Sequence, residues 1–241
     1  MPTILIANIG SRDVQIAPEH LPEDLRDWKT VSERERGAYL LANYTALRPH
    51  LELAIIRKAL TYILEHDRAL DQVVLIASDQ HDPHYREKDT LVTAEVARRL
   101  IADGWNIPEA QITIWPLHDL SSENNPADID AVLRALESPL WQIDATDAPE
   151  QVYLEVTGGT TAMSEGLLLA GTAVFQNRAI ALYIAPTSEM PHRLAVGKRL
   201  LAGPLRDVLL AHVDSFQYTA AHKAFEAYHP YFKSSERRDL V

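Results

Sequence analysis

The segment 157–163 carries the residue types best suited to bind the phosphate or ribose oxygens of a ligand. Two adjacent glycines follow an apolar stretch of strand length and precede a run of small residues with helical character. Glycine lets a ligand approach the backbone closely, and the unpaired amides and positive dipole end of a helix start attract anions. Threonine hydroxyls add further donors. The candidate ligand-binding residues here are Thr157, Gly158, Gly159, Thr160, Thr161 and Met163. A tight turn with a threonine helix cap is the alternative interpretation.

This segment matches neither of the two common phosphate-binding fingerprints. A Walker A loop requires Gly-Lys followed by Ser or Thr, and the dinucleotide fingerprint requires G-x-G-x-x-G directly after a strand. Neither Gly10 nor the Gly158-Gly159 pair begins such a pattern. We therefore predict neither ATP hydrolysis nor NAD chemistry, and no cofactor.

Further polar segments follow other apolar stretches of strand length. In an open α/β sheet the carboxyl ends of the parallel strands meet at one edge, where ligands bind. We therefore expect these segments to converge with the glycine loop. After the first strand the candidates are Gly10, Ser11, Arg12 and Asp13, after the second they are Asp79, Gln80, Arg86 and Thr90, and His118-Asp119 follow the third.

A dense group of metal-ligand types favours a different chemistry. Asp79, His81, Asp82 and His84 resemble the His and carboxylate sets with which hydrolases hold a metal that activates water. Against this interpretation, Asp82-Pro83 is typical of a turn in a polar loop. We predict no metal site and retain a metal-dependent hydrolase as an alternative.

The elements that must position these residues alternate between strands and helices. Apolar runs predict strands at 3–8, 73–78, 111–117, 151–156 and 179–185, with one more at 192–196. Helical spacing of apolar residues recurs over 40–63, 91–100, 129–136 and 162–175, and further helices are predicted at 204–213 and 216–228. This order predicts an open, Rossmann-like α/β fold, a mostly parallel sheet with helices on both faces, followed by short C-terminal helices.

The domain organisation follows from the same pattern. We expect residues 1–214 to form one Rossmann-like domain and residues 215–241 to form a C-terminal helix and tail, an expected linker to a further domain absent from this chain. The polar segment 10–32 is too long for a simple connection and is predicted to be a lid or a small insertion.

Composition restricts the function further. The net charge of −11 argues against a surface that tracks long nucleic acid, because such surfaces neutralise phosphates with clustered Lys and Arg. The chain has no cysteine, no basic leader and no apolar stretch longer than 167–175. We expect a cytoplasmic protein with no membrane partner.

Together these segments resemble the CARF domain (CRISPR-associated Rossmann fold) of type III CRISPR ancillary effectors. The resemblance extends over about residues 1–214. It depends mainly on the Thr-Gly-Gly-Thr loop and its helix. The matching residues are Thr157-Gly158-Gly159-Thr160 with Met163, Asn8-Ile9-Gly10-Ser11, Ser78-Asp79-Gln80, and Asp89-Thr90.

The resemblance implies an allosteric sensor for antiviral defence. A homodimer would bind cyclic tetra- or hexa-adenylate across its two-fold axis and control an effector domain. Carried over to this chain, residues 10–13 would touch the ring, Asp79, Gln80, Arg86 and Thr90 would line its flank, and residues 157–161 with Met163 would form its floor. Thr161 stands where many members have a lysine, so Arg12 or Arg86 would have to supply that charge.

The resemblance also leaves open an enzymatic alternative. A metal-independent ring nuclease would let a ribose 2′-hydroxyl attack the adjacent phosphodiester. Ser11, Arg12 and the amides of residues 157–161 would then stabilise the developing charge.

Overall fold

A six-stranded sheet forms the centre of the chain in the computed structural model, which describes residues 2–27, 31–67, 69–80, 83–118, 126–185 and 187–228. A separate two-stranded sheet lies beside it. The strands are β1 (Thr3–Asn8), β2 (Val14–Ile16), β3 (Leu51–Leu53), β4 (Gln72–Asp79), β5 (Ile112–His118), β6 (Gln151–Glu155), β7 (Ala179–Tyr183) and β8 (His192–Leu194).

The large sheet has the strand order β5-β4-β1-β6-β7-β8. All neighbouring strands are parallel except β7 and β8. This is the strand order of a Rossmann sheet. The chain first adds strands on one side of β1 and then crosses over to add strands on its other side. The reversal lies between β1 and β6, so the loops after these two strands border the crevice in which such folds bind ligands.

Two helical layers cover the sheet. Leu5 and Ala7 of β1 face one apolar cluster, and Ile4 and Ile6 face the other, because successive side chains of a strand point to opposite faces. The helices are α1 (Glu33–Ala42), α2 (Tyr44–Leu47), α3 (Ile56–Asp67), α4 (Pro83–Arg86), α5 (Leu91–Trp105), α6 (Ile129–Asp147), α7 (Thr161–Phe175), α8 (Val196–Asp214) and α9 (Tyr218–Tyr228). The first cluster includes residues of α1, α3 and α5, and the second includes residues of α6 and α7.

The long helix expected over 40–63 is wrong in its middle. Leu51 and Leu53 belong to β3 and pair with Ile16 and Val14 of β2. Both leucines are buried, whereas Glu52 between them is exposed, which is the two-residue period of a strand. Segment 10–32 therefore contributes a small insertion that contains one strand of this second sheet.

The C-terminal helices differ from the sequence prediction at their starts. α8 begins at Val196 and carries Pro204 in its interior, whereas the sequence placed that proline at the first turn. α9 ends at Tyr228, and the predicted tail lies outside the described residues. No helix of the described ranges has the length and apolar character needed to cross a membrane.

Candidate functional site

Glycines allow the loops after β1 and β6 to contact each other. A Cβ atom on Gly10 would lie 2.8 Å from the amide nitrogen of Gly159, and one on Gly158 would lie 2.2 Å from the carbonyl oxygen of Asn8. Real Cβ atoms do not approach backbone atoms this closely. The close contact of the two loops therefore requires glycine at both positions.

A cavity of about 470 Å³ lies where these loops meet. Seven of the predicted site residues line it, namely Gly10, Ser11, Arg12, Asp13, Thr157, Gly158 and Gly159. Five residues that the sequence analysis did not select complete the lining, namely Gln15, Ile55, Lys58, Ile184 and Ala185. The loops after β1 and β6 thus converge, as predicted for the loops after the first and fourth predicted strands.

Asp13 supports the first loop from within the protein. Its side chain is fully buried, and its Oδ2 accepts the amide of Gly10 at 2.7 Å. Burial raises the pKa of Asp13 well above its ordinary value, and the nearby carboxyl of Glu155 raises it further. The hydrogen bonds from the amides of Gly10 and Ile56 lower the pKa in part. Asp13 thus holds the loop in shape at the cavity wall.

Glu155 supports the second loop in the same manner, and the sequence analysis missed it. This fully buried carboxyl accepts the amide of Thr157 at 2.8 Å and that of Gly158 at 3.4 Å. Burial raises the pKa of Glu155 to about 7 despite these hydrogen bonds. An acidic residue at the end of an apolar strand was the signal that could have identified it.

These hydrogen bonds correct part of the predicted anion-binding site. The amides of Thr157 and Gly158 point inward to Glu155, so they are not available to a phosphate. Within the described part of the chain, the amides of Gly159, Thr161 and Ala162 have no protein partner. They lie at the start of α7, where the helix dipole favours an anion.

Thr160 is the N-cap of α7, as the alternative interpretation of this segment predicted. Its Oγ1 accepts the amide of Met163 at 3.2 Å and donates to the carbonyl of Pro126. Thr161 is the first residue of the helix and is exposed. The hydroxyl of Thr157 accepts the amide of Ile184 at 2.8 Å, which connects the loops after β6 and β7.

Met163 lies beneath the glycine loop. Its side chain is 1% exposed and packs in the core between the sheet and α6. A Cβ on Gly159 would lie 3.0 Å from its Sδ and Cε atoms, and Gly159 has a positive φ of 77°. Met163 therefore supports Gly159 from below and is absent from the residues that line the cavity.

Of the residues predicted for the flank, Asp79 belongs to a charged cluster at the ends of β4 and β5. Asp79 lies 3.4 Å from Nη1 of Arg34 and 3.1 Å from Nδ1 of His118. Arg34 also lies 3.8 Å from Asp89, whose pKa is raised by burial. This cluster lies at the same sheet edge as the cavity but does not line it.

Gln80 and Thr90 are engaged in buried hydrogen bonds. The amide of Gln80 donates to Asp89 at 2.6 Å, and its side chain donates to the carbonyl of Leu117 at 3.2 Å. Thr90 Oγ1 accepts the amide of Ser78 at 3.1 Å. Arg86 is exposed on α4, and none of these three predicted residues lines the cavity.

The metal-binding alternative receives no support from the described residues. They contain no group of three or more side chains placed to hold a metal ion. Two members of the proposed set, His81 and Asp82, lie outside the described residues, and so does the side chain of His84, so this set stays a prediction. Asp79, the fourth member, pairs with Arg34 and His118.

The comparisons with known proteins concern the fold. No protein-family model and no curated protein matches this chain. The solved structure of Enterococcus italicus Csm6 bound to cyclic hexa-2′-fluoro-hexa-dAMP is similar to it, with a TM-score of 0.58 at 15% sequence identity. The similarity covers 100% of this chain and 52% of that one, so this chain spans about half of that length. The likeness confirms the Rossmann-like fold that the CARF resemblance implied.

Proposed function

We propose that this chain binds a cyclic oligoadenylate second messenger of type III CRISPR defence in the crevice between the carboxyl ends of β1 and β6. The observation that carries this proposal is the meeting of two glycine loops around one cavity at the point where the sheet reverses its winding. The fold likeness to Csm6, which was solved with a cyclic hexa-nucleotide bound, supports the choice of ligand.

Local positive charge makes an anionic ligand reasonable in an acidic protein. The chain has a net charge of −11, but the charged residues that line the cavity include two cations, Arg12 and Lys58. Gly159, which also lines the cavity, adds a backbone amide just before the start of α7. Phosphodiester groups that enter this crevice would therefore meet local positive charge.

Two copies of the chain are needed to enclose a ring. A cavity of about 470 Å³ is sized for a single drug-sized ligand, whereas a ring of four or six nucleotides is several times larger. A cyclic ligand of identical units has rotational symmetry that matches a two-fold axis. We therefore propose a homodimer in which each copy contributes one crevice.

The same proposal includes an effector domain controlled by the ring. Large apolar side chains are exposed on α8 and around the start of α9, and we place the contact with such a domain there. Control requires that the ring bind one dimer arrangement more tightly than another. The exposed residues are Leu200, Val208, Leu210, Val213, Phe216 and Tyr218.

The ring nuclease alternative is less well supported by the geometry. Ser11 and Arg12 are exposed at the cavity, as that mechanism requires. However, two of its expected donors, the amides of Thr157 and Gly158, are bonded to Glu155. We therefore propose binding as the function of this domain. Chromatography of the ring after incubation with the protein would reveal cleavage.

Calorimetric titration tests the binding proposal. Cyclic tetra-adenylate and cyclic hexa-adenylate are titrated into the protein, with linear oligoadenylate and NAD as controls. We expect one ring per two chains, binding lost in Gly159→Leu and kept in Gly104→Leu, whose side chain would point into open space. Failure of the unmodified protein to bind either ring would contradict the proposal.

A further inference from the structure

Lys58 is a mostly buried cation beside the glycine loops. It lies in the first turn of α3, its side chain is only 12% exposed, and it lines the cavity together with Gly158 and Gly159. A lysine is seldom buried without partners, because its charge must be compensated. The contacts of Lys58 in this structure therefore indicate which partner an anionic ligand could replace.

Those partners come from the loop after β7. Nζ of Lys58 donates to the carbonyl oxygen of Ser188 at 2.7 Å and lies 3.7 Å from Oε1 of Glu189. Glu189 is 80% exposed, and its other oxygen lies 3.8 Å from Arg57. An ion pair with such an exposed carboxylate contributes little and exchanges readily with another anion.

An ammonium group has three donors. One donor of Lys58 is taken by the Ser188 carbonyl and a second faces Glu189 across a longer distance. The ammonium therefore keeps donor capacity for an anion that enters the cavity. The carbonyl contact fixes the side chain beside the loops, so the charge is positioned before a ligand arrives.

We propose that Lys58 is the phosphate-binding cation of this site and that Glu189 is the counter-ion that an incoming phosphodiester displaces. This proposal rests on the proposed function and names the residue that contacts the ligand backbone. Lys58 then supplies the charge that Thr161 lacks at the start of α7. Arg86, one of the two sequence candidates for that role, does not line the cavity.

Arg57 offers a matched control. It precedes Lys58 on α3 and also pairs with Glu189, but it points to Glu52 and does not line the cavity. Removing either cation therefore deprives Glu189 of one partner. Only the removal of Lys58 takes a positive charge out of the crevice.

Titration of the ring that the unmodified protein binds into four single variants and the double variant Lys58→Met with Glu189→Gln tests this proposal. We expect Lys58→Met to weaken binding at least tenfold, Lys58→Arg to restore most of it, and Arg57→Met to change it less than threefold. Glu189→Gln should tighten binding a few-fold, and only when Lys58 is present. Unchanged affinity in Lys58→Met, with the fold intact by circular dichroism, would overturn the proposal.

A second probe separates this proposal from the proposed function. If the unmodified protein binds neither ring, the proposed function fails, and inorganic pyrophosphate then replaces the ring in a thermal-shift titration. A shift that depends on Lys58 but not on Arg57 would support the anion site alone. Equal shifts in both variants, or no shift in the unmodified protein, would overturn the role of Lys58.

Discussion

The Cβ position of Gly158 lies 2.2 Å from the carbonyl oxygen of Asn8 and 3.0 Å from Oδ2 of Asp13. The end of β1 and the glycine loop after β6 are thus in backbone contact at the point where the sheet reverses. Neither neighbouring group can move easily, because Asn8 is fully buried in the central strand and Asp13 holds the Gly10 amide.

Replacing this glycine should damage the site through its backbone. We expect Gly158→Ala to lower the free energy of unfolding by about 3 kcal/mol, since the added methyl group must push two loops apart. Urea denaturation measures this loss. Gly104→Ala is the control, because a Cβ at this position meets nothing within 4 Å. Gly104 lies in α5, where alanine is the better helix former, so we expect the free energy of unfolding to rise by up to about 1 kcal/mol. If Gly158→Ala lowered the free energy of unfolding by less than about 1 kcal/mol, the close contact between Gly158 and the Asn8 carbonyl would be contradicted.

The buried carboxyl of Glu155 should make stability depend on pH. Its pKa is raised from 4.5 to about 7 in the folded chain, so the folded state holds a proton that the unfolded state has released. The free energy of unfolding should therefore fall as pH rises from about 4.5 to about 7 and then level off. Denaturation at pH 5, 6, 7 and 8 measures this slope.

Two variants test whether Glu155 causes this decline of stability with pH. Glu155→Gln removes the titrating group and should flatten the decline, although the raised pKa of Asp13 contributes in the same direction. Glu165→Gln, an exposed glutamate on α7, should leave the decline as it is. An identical slope in the protein and in Glu155→Gln would contradict the assignment.

Thr160 and Thr161 should differ in their effect on stability although they are adjacent. Thr160→Ala removes the acceptor of the Met163 amide and the donor to the Pro126 carbonyl, and we expect a loss of about 1–2 kcal/mol. Thr160→Ser keeps a hydroxyl at this position and should therefore retain most of the stability. Thr161→Ala, at an exposed position, should stay within about 0.5 kcal/mol in the same denaturation experiment. Equal losses of stability in Thr160→Ala and Thr161→Ala would refute the role of Thr160 as the N-cap of α7.

Much of the sheet and the location of the site could be predicted from sequence because parallel strands are continuous apolar runs. β1 was predicted to the residue, and the glycine loops identified the crevice. β3 was missed because its three residues have too short a pattern to interrupt a helical spacing. Pairing with β2, some 37 residues earlier, decides its conformation.

The site residues that sequence reasoning missed depend on tertiary contacts. Lys58 lies on a helix whose pattern gives no sign of a ligand, and only the packing of α3 beside the β7 loop brings it to the cavity. Conversely, Gln80 and Thr90 follow a strand as binding residues do. Their polar groups are nonetheless used to join the end of β4 to the segment before α5.

Arg34 should stabilise the charged cluster at the ends of β4 and β5. It lies 3.4 Å from Asp79 and 3.8 Å from the buried Asp89, so Arg34→Met takes one cation away from two neighbouring carboxylates. We expect the free energy of unfolding to fall by about 2 kcal/mol. Arg98 is about as exposed, but among the described residues it pairs only with Glu95 on its own helix, and Arg98→Met should cost about 0.5 kcal/mol or less. Urea denaturation of both variants decides the matter, because equal losses would mean that the Arg34 cluster contributes no more than a surface ion pair.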